Sequence, residues 1–149
     1  MKIIIASEHA GFTLKEYLYR LLREDGYDIS DGGVYSNATS DYPLVAEKIC
    51  DSIISGEYDY GILLCGTGIG MSIAANKIAG IRAALCGDIY SARMTREHND
   101  ANVLCLAAWL TADRYSAEIA KTFLNTEFTG GRHIPRLEQI TQIERRERR

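Results

Sequence analysis

Short apolar runs alternate with helical patterns along this chain, and that alternation limits its fold more than any other feature of the sequence. Five runs rich in Ile, Val and Leu have the length of buried strands, and each is followed by a turn or helix signal. Strands of this composition are typical of a parallel sheet that helices cover on both faces. We predict strands at residues 2–6, 27–31, 60–65, 81–86 and 103–106.

The segments between the strands carry apolar residues at helical spacing. In the first of them Leu14, Leu18 and Leu22 share one face, and Gly26 supplies a stop signal. Similar patterns predict helices around residues 45–53, 74–78, 90–94 and 119–123. The predicted fold class is therefore α/β: a single domain over residues 1–149, a three-layer αβα sandwich around a five-stranded, parallel, Rossmann-like sheet.

A final helix is predicted near the C-terminus, where Leu137, Ile140 and Ile143 form an apolar stripe among many charged residues. Such a stripe needs a partner surface. We expect this C-terminal helix to reach a partner subunit.

Composition argues against several functions. A net charge of −3 and a pI near 5.6 provide no broad attraction to nucleic acid or to an anionic membrane. No stretch approaches the ~20 apolar residues of a membrane span, and the apolar run at residues 3–6 is too short for a signal peptide. The four cysteines lack a C-x-x-C pair, which argues against a zinc site and favours reduced thiols. We expect a cytoplasmic protein without a bound metal.

The carboxyl edge of the predicted sheet is the expected ligand site, because open α/β sheets bind ligands there, at the point where strand order reverses. We expect the flavodoxin-like order 2-1-3-4-5, which puts this point between the first and third strands. Those strands lead into residues 7–11 (Ser-Glu-His-Ala-Gly) and 65–70 (Cys-Gly-Thr-Gly-Ile-Gly). The two most polar, glycine-bearing loops are thus predicted to meet.

The loop at residues 65–70 is the strongest candidate for chemistry. Gly66, Gly68 and Gly70 let the backbone approach a ligand and direct several N–H groups into one space, an arrangement that stabilises an anion. A helix beginning just beyond the loop would favour a thiolate at Cys65, which could act as a base. The same pattern also fits a tight strand-to-helix turn with an inert cysteine.

Better-known glycine and cysteine motifs fit this loop poorly. A Walker A loop needs Lys and then Ser or Thr after its last glycine, but Met71 and Ser72 follow Gly70. The dinucleotide fingerprint G-x-G-x-x-G fails because the third glycine comes one residue early. A low-molecular-weight cysteine phosphatase would carry Arg six positions after its nucleophile, where this chain has Met71.

All three histidines lie at turns or glycine-rich segments rather than in apolar stripes. His9 follows the first strand, His98 precedes the fifth, and His133 follows a glycine pair and an arginine. A loop histidine can be solvated and idle, but we expect His9 and His98 to lie beside Cys65.

Two arginines and a tyrosine complete the set of candidate side chains. Arg132 and Arg136 are spaced to share one face of a helix, and arginine forks suit phosphate oxygens. They fit a solvent-facing charge cluster at a helix start equally well. Tyr42 lies in an Asp-Tyr-Pro turn before the second helix and is a candidate contact at the rim of the site.

Five segments together resemble the type B ribose-5-phosphate isomerases, in order and spacing, over nearly the whole chain. They are residues 7–11, 41–43, 65–77, 96–102 and 130–133. That family also includes galactose-6-phosphate isomerase subunits and enzymes acting on allose 6-phosphate or tetrulose phosphates. The resemblance implies a homodimer, sometimes paired into a tetramer, in which the partner subunit completes each active site and no metal or cofactor takes part.

The resemblance also implies roles for individual residues. Cys65 would be the base that moves a proton between C1 and C2, Thr67 would assist proton transfer to the oxygens, and His98 would open the furanose ring. The expected substrate-binding residues are Glu8 at the sugar hydroxyls, His9 with Arg132 and Arg136 of the other subunit at the phosphate, Asn99 at a hydroxyl, Tyr42 at the rim, and Gly66, Gly68 and Gly70 at the enediolate.

Two positions depart from the family pattern. Glu8 stands where members usually carry Asp, so its carboxylate reaches further by a methylene. Trp109 stands where an arginine is expected at the phosphate, at the end of a segment that usually reads Gly-x-Arg. Both changes alter the pocket and leave the proton-transfer loop intact.

The leading interpretation is an aldose-ketose isomerase that acts on a sugar phosphate, with ribose 5-phosphate and ribulose 5-phosphate as the default pair. One alternative keeps this reaction and changes the sugar to allose 6-phosphate, galactose 6-phosphate or a tetrulose phosphate. The other is a non-catalytic phosphosugar-binding protein, since backbone N–H groups and arginines can bind an anion without reacting.

Overall fold

One parallel sheet organises the chain, whose computed structural model describes residues 1–36 and 38–147. Each strand contains the centre of a predicted one, although the fourth is shorter than expected. The strands are β1 (Lys2–Ser7), β2 (Asp28–Asp31), β3 (Tyr60–Cys65), β4 (Ala83–Leu85) and β5 (Val103–Ala107).

Helices follow every strand, as the apolar spacing predicted. They are α1 (Phe12–Glu24), α2 (Tyr42–Ile54), α3 (Ile69–Ala75), α4 (Ile89–Asn99), α5 (Asp113–Asn125) and α6 (Ile134–Glu147). Two short 3-10 turns, His9–Gly11 and Gly131–His133, precede α1 and α6.

The strand order is β2-β1-β3-β5-β4, and all neighbours are parallel. The expected order 2-1-3-4-5 is therefore wrong at its last two positions. Burial gives the reason: every residue of β5 is buried, as suits an interior strand, whereas the residues of β4 are partly or fully exposed, as suits an edge. The reversal of strand order between β1 and β3 is unaffected.

The sheet separates two hydrophobic cores. Along β1, Ile3 and Ile5 point to one face while Ile4 and Ala6 point to the other, because side chains alternate across a strand. Helices α1, α4 and α5 cover the first face, and α2 and α3 cover the second. These three layers are the predicted αβα sandwich.

The third helix lies earlier in the chain than the predicted one around residues 74–78, since it covers Ile69–Ala75 and leaves Ile78 beyond its end. The side-chain amide of Asn76 donates to the carbonyl oxygen of Ala83 at 2.8 Å and accepts from its N–H at 2.9 Å. This pairing ties the helix end to β4 and competes with further helical turns.

The C-terminal helix α6 keeps its apolar side chains partly in solvent. Ile134, Ile140 and Ile143 are each about half exposed, at 46%, 48% and 51%. Glu144 anchors the helix to its own chain by accepting a hydrogen bond from the N–H of Gly80 at 3.1 Å. Among the described residues, no helix is both long and apolar enough to cross a membrane.

Candidate active site

The loops after β1 and β3 lie side by side at the carboxyl edge of the sheet. Ser7 pairs with Leu64 in the parallel register, and the N–H of Glu8 donates to the carbonyl oxygen of Leu64 at 3.1 Å. Glu8 and His9 therefore start beside Cys65, the last residue of β3. The prediction that these two loops meet is confirmed.

Aromatic rings enclose the glycine loop on two sides. The Trp109 ring lies against Gly66, where a Cβ atom would come within 2.7 Å of ring carbons. The Tyr42 ring lies against Gly70 in the same way, at 2.9 Å. Gly68 has φ of +73° at the start of α3, a conformation that L side chains rarely adopt. A side chain at any of these three glycine positions would clash with a neighbouring group or strain the backbone, so this loop shape requires glycine there.

The sulfur of Cys65 faces the backbone of its own loop. The N–H of Gly68 donates to Sγ at a nitrogen-to-sulfur distance of 3.1 Å, and the cysteine is 6% exposed. Thr67 is partly exposed, and its Oγ1 accepts from the N–H of Ile69 at 3.3 Å. The sulfur therefore lies within the same loop whose backbone N–H groups can face a bound ligand.

The other three cysteines have no such environment. Burial, followed by the nearby charge of Asp51, raises the pKa of Cys50 to about 12. Burial also raises the pKa of Cys86 to about 11, and complete burial raises that of Cys105 well above its usual range. All three thiols stay protonated at neutral pH and pack as small core side chains.

We predict that iodoacetamide at pH 8 labels Cys65 first in the folded protein. A pKa of about 11 leaves only about one Cys86 thiol in a thousand ionised at pH 8, and alkylation needs the thiolate. Peptide mass spectrometry would locate the label, and the denatured chain, in which all four cysteines react, is the control. Faster labelling of Cys86 or Cys50 than of Cys65 would contradict the assignment.

Glu8 and His9 form a close pair at the same edge. Glu8 is 6% exposed; its Oε2 atom lies 2.6 Å from Nδ1 of His9, and its Oε1 atom accepts from the N–H of Ala10 at 3.0 Å. The N–H of His9 donates to Oγ of Ser40 at 3.2 Å. Sequence reasoning missed this role of Ser40, since a serine in a polar loop carries no distinguishing signal.

A second group of predicted site residues gathers around the end of α4. The rings of His98 and His133 stack, with centroids 4.2 Å apart and planes inclined by 14°. The segment before His133 is brought there by Thr129, whose N–H and Oγ1 both donate to the carbonyl oxygen of Glu97. Asn99, the last residue of α4, is exposed beside this pair.

The two predicted arginines adjoin the stacked histidines. Arg132 and Arg136 are exposed, and Nη1 of Arg136 donates to the carbonyl oxygen of Arg132 at 3.1 Å. Partial burial, His98 and these two guanidinium groups lower the pKa of His133 below its usual value. The cluster therefore carries its positive charge on the arginines while His133 stays neutral at pH 7, which suits an anion-binding surface.

This second cluster lies at the opposite edge of the sheet from Cys65. Arg96, one turn before the end of α4, donates to the hydroxyl of Tyr60 at 2.8 Å, and Tyr60 begins β3 whereas Cys65 ends it. Six residues of strand span roughly 16 Å. The expectation that His98 lies beside Cys65 is therefore wrong within one chain. The reason is topological: a crossover helix runs antiparallel to its strands, so its C-terminus returns to the amino edge.

Sequence reasoning also missed the residues that hold this helix end. Asp100 adopts a left-handed conformation with φ of 45°. Its carboxylate pairs with Arg82 at 2.9 Å and with Arg96 at 2.8 Å, and its carbonyl oxygen accepts from Arg82 at 2.7 Å. These contacts fix the position of the two preceding residues, His98 and Asn99. Within residues 1–36 and 38–147, no three His, Cys, Asp or Glu side chains gather as a metal site.

Known proteins are similar in sequence to this chain over almost its full length. A family profile described as Ribose/Galactose Isomerase matches residues 3–140. Ribose-5-phosphate isomerase B of Escherichia coli (strain K12) is 43% identical over 145 residues, covering 97% of this chain and 97% of that protein.

Solved structures share the fold as closely. Ribose-5-phosphate isomerase B of Clostridium thermocellum superposes with a TM-score of 0.97 at 46% identity, covering 99% of both chains. The same enzyme of Mycoplasma genitalium, solved with bound ribulose-5-phosphate, gives a TM-score of 0.91 at 39% identity, covering 97% of this chain and 96% of that one.

Proposed function

This chain belongs to the ribose/galactose isomerase family, and we propose that it interconverts ribose 5-phosphate and ribulose 5-phosphate through an enediolate. The geometry that best supports this reaction is the N–H of Gly68 aimed at the sulfur of Cys65. It puts a candidate base inside a loop whose backbone N–H groups can also hold a developing oxyanion. The proposed reaction shifts one proton between neighbouring carbons and involves no cofactor.

The proposed proton transfer starts from the open-chain aldose. The Cys65 thiolate removes the proton on C2, and the electron pair moves to give an enediolate with negative charge on O1. The proton returns to C1 while the hydrogen on O2 passes to O1 with the help of the Thr67 hydroxyl, which leaves the ketose. Backbone N–H donors around Gly66 to Gly70 can each stabilise such an oxyanion by roughly 3 kcal/mol.

A direct assay tests this function. Purified protein is incubated with ribose 5-phosphate, ketose formation is followed, and the reaction is repeated in deuterated water. Turnover with deuterium incorporated at the exchanged carbon would support proton transfer through the enzyme. Tight binding without exchange would favour the non-catalytic phosphosugar-binding alternative instead.

We propose in addition that two copies of the chain share each active site. The Cys65 loop and the cluster of His98, Asn99, Arg132 and Arg136 lie at opposite edges of one sheet, so neither edge alone holds the complete set. A second copy facing the first could bring the partner's arginine cluster to Cys65. The half-exposed isoleucines of α6 offer an apolar surface for that contact.

A different sugar phosphate is the second candidate substrate, and Trp109 is the observation that favours it. Its indole packs on the backbone of Gly66 while 70% of the residue remains exposed. At this position a flat apolar ring stands in place of the arginine that the family resemblance implies at the phosphate. A comparison of kcat/KM for ribose, allose, galactose and tetrulose phosphates would decide between these substrates.

Replacing Trp109 with arginine is expected to lower KM for ribose 5-phosphate roughly tenfold or more, because a charge-assisted hydrogen bond contributes about 1.5–3 kcal/mol. Steady-state kinetics on the purified variant would measure the change. Leu110→Arg is the matched control, since this neighbouring residue is 74% exposed and the substitution adds the same charge. An equal fall in KM for both variants would point to general attraction instead of a specific phosphate contact.

The proposed setting is the cytoplasm, with a small sugar phosphate as ligand and no nucleic acid or membrane as partner. The acidic pI of about 5.6 and the phosphosugar enzymes to which the chain is similar support this setting. Fractionation of cells that express the tagged full-length chain would test it.

A further inference from the structure

Lys15 has no exposed surface and no part in the proposed reaction. It lies in the first turn of α1, where its Nζ donates to Oδ2 of Asp31 and lies 2.7 Å from Oε1 of Glu16. The rings of Phe12 and Tyr35 flank the ammonium group, with centroids 5.4 Å and 5.6 Å away. A lysine is almost never buried completely unless it is paired. This one is paired and enclosed near the carboxyl edge of the sheet, where α1 begins.

Asp31 joins this lysine to the segment that follows β2. Its second oxygen, Oδ1, accepts from the N–H of Gly33 at 2.9 Å. The carbonyl oxygen of Gly33 accepts from the N–H of Ser7 at 2.8 Å, and the carbonyl oxygen of Ser7 accepts from the N–H of Val34 at 3.0 Å. One carboxylate therefore links α1 to the two residues that pair with the end of β1.

The end of β1 leads directly into the candidate site. Ser7 is the last residue of the strand, and Glu8 and His9 follow it beside Cys65. Because β1 lies between β2 and β3, the segment after β2 supports this loop on the side away from Cys65. Further along the chain, Oγ of Ser40 accepts from the N–H of His9 at 3.2 Å. The position of the loop after β1 thus depends on how the segment after β2 is held.

The pair of Lys15 and Asp31 is better suited to fixing a direction than to adding stability. Burying two charges costs desolvation that their attraction only partly offsets, so apolar residues of similar volume often stabilise a fold as well. Apolar side chains could hold α1 against β2. They could not orient a carboxylate so that one oxygen contacts Nζ while the other accepts from Gly33. What the ion pair adds is the orientation of the segment after β2.

We propose that Lys15 is a positioning residue for the loop after β1. It acts through Asp31, which holds the segment after β2 against Ser7. That contact sets where the next two residues, Glu8 and His9, stand beside the glycine loop. Since Lys15 has no exposed surface, it can influence a substrate only through these contacts. The inference rests on the proposed function, because it takes this edge of the sheet as the active site.

The double variant Lys15→Met with Asp31→Asn tests this role in the full-length protein without any ligand. Methionine fills irregular core space, the asparagine oxygen can still accept from Gly33, and no unpaired charge is left buried. We therefore expect the variant to fold. Its Ser7 and Val34 amides should exchange with deuterium roughly tenfold faster than in wild-type protein, because a segment without its tether opens locally at a lower free-energy cost. NMR-detected exchange measures these rates, and unchanged rates at both amides would overturn the proposal.

Steady-state kinetics with ribose 5-phosphate provide the second measurement. The double variant should lose kcat/KM by roughly tenfold to a hundredfold, because a small displacement of groups that position a substrate can cost that much. Lys121→Met with Asp25→Asn is the matched control, since it makes the same two substitutions at a partly exposed pair, 2.7 Å apart, at the far end of α1. This control should keep its kcat/KM. Leu22→Ala, which truncates a fully buried side chain of the same helix, should lower the melting temperature and also keep its kcat/KM.

This proposal and the proposed function fail in different ways. If wild-type protein isomerises ribose 5-phosphate and the double variant retains its kcat/KM, the role of Lys15 is wrong and the proposed function stands. An equal loss of kcat/KM in Leu22→Ala would also overturn that role, since the loss would then follow stability alone. If the Ser7 and Val34 amides exchange faster as expected and wild-type protein isomerises no sugar phosphate, the proposed function is wrong and the tether through Asp31 remains.

Discussion

Replacing Cys65 with alanine is expected to lower kcat for the sugar phosphate by roughly 10²- to 10⁴-fold, the usual contribution of a positioned general base. The substitution removes the sulfur that accepts from Gly68 and leaves the glycine loop and the substrate-binding side chains in place. KM should therefore change much less than kcat. Steady-state kinetics with purified protein would measure both.

Two further variants make this experiment specific to proton transfer. Cys65→Ser keeps a hydrogen-bonding atom near Gly68, but its hydroxyl is far less acidic than a thiol, so its activity should stay near that of the alanine variant. Cys86→Ala is the matched control, since it removes a buried thiol with a pKa of about 11 that plays no part in the proposed reaction.

Retention of full activity by Cys65→Ala, with the fold intact by thermal unfolding, would exclude this thiol as the base. Loss of activity in Cys86→Ala to the same extent would indicate that cysteine removal harms the fold instead of the chemistry. Deuterium exchange into the substrate separates these cases further, because a folded enzyme without its base should still bind the sugar phosphate and should not exchange its proton.

Mixing two inactive variants is expected to restore about a quarter of the wild-type activity if each site is shared across a two-fold dimer. One variant carries Cys65→Ala, and the other carries Arg132→Ala with Arg136→Ala. Random pairing makes half of the dimers mixed, and each mixed dimer contains one site with both defects and one site with neither. The parents should be nearly inactive alone, and the mixture should gain activity as subunits exchange.

The control for this experiment pairs two defects in the same half of the site. Cys65→Ala mixed with Thr67→Ala should stay inactive, because both residues belong to the same loop and every site in the mixed dimer keeps one of the defects. Native mass spectrometry would measure how much mixed dimer is present. Mixed dimers that form in full and remain inactive in the arginine pairing would contradict the shared site.

The carboxyl edge of the sheet was largely predictable from the sequence. Each strand there is a local apolar run, and the glycines and polar residues that follow it mark its end. Only the pairing of β1 with β3 was needed to bring Glu8, His9 and Cys65 together. Parallel strands that are neighbours in a sheet end at the same edge, so the loops meet whatever the order of the remaining strands.

The amino edge was not predictable in the same way. His98 is close in sequence to β5, and its motif suggested a place beside Cys65. Its actual position depends on the direction of α4, on the interior place of β5 and on the clamp that Arg82 and Arg96 form around Asp100. These are contacts between residues far apart in the chain, which local patterns do not report.

The orientation of Glu8 is a third example. The sequence shows that a glutamate stands where the family usually has aspartate, which suggests a longer reach into the pocket. In the structure that length is turned toward the neighbouring imidazole instead, because the carboxylate also caps the turn beginning at His9. A side chain with several rotatable bonds can adopt several directions, and only the surrounding atoms select one.

By itself, the sequence determined the α/β class, the positions of five strands, the glycine loop at Cys65 and the resemblance to a sugar-phosphate isomerase family. Those properties follow from local periodicity and from short motifs. The tertiary structure decided the order of β4 and β5, the separation of Cys65 from His98, and the pairing of Glu8 with His9. These depend on burial and on long-range contacts, whose free energies are set only when the whole chain has packed.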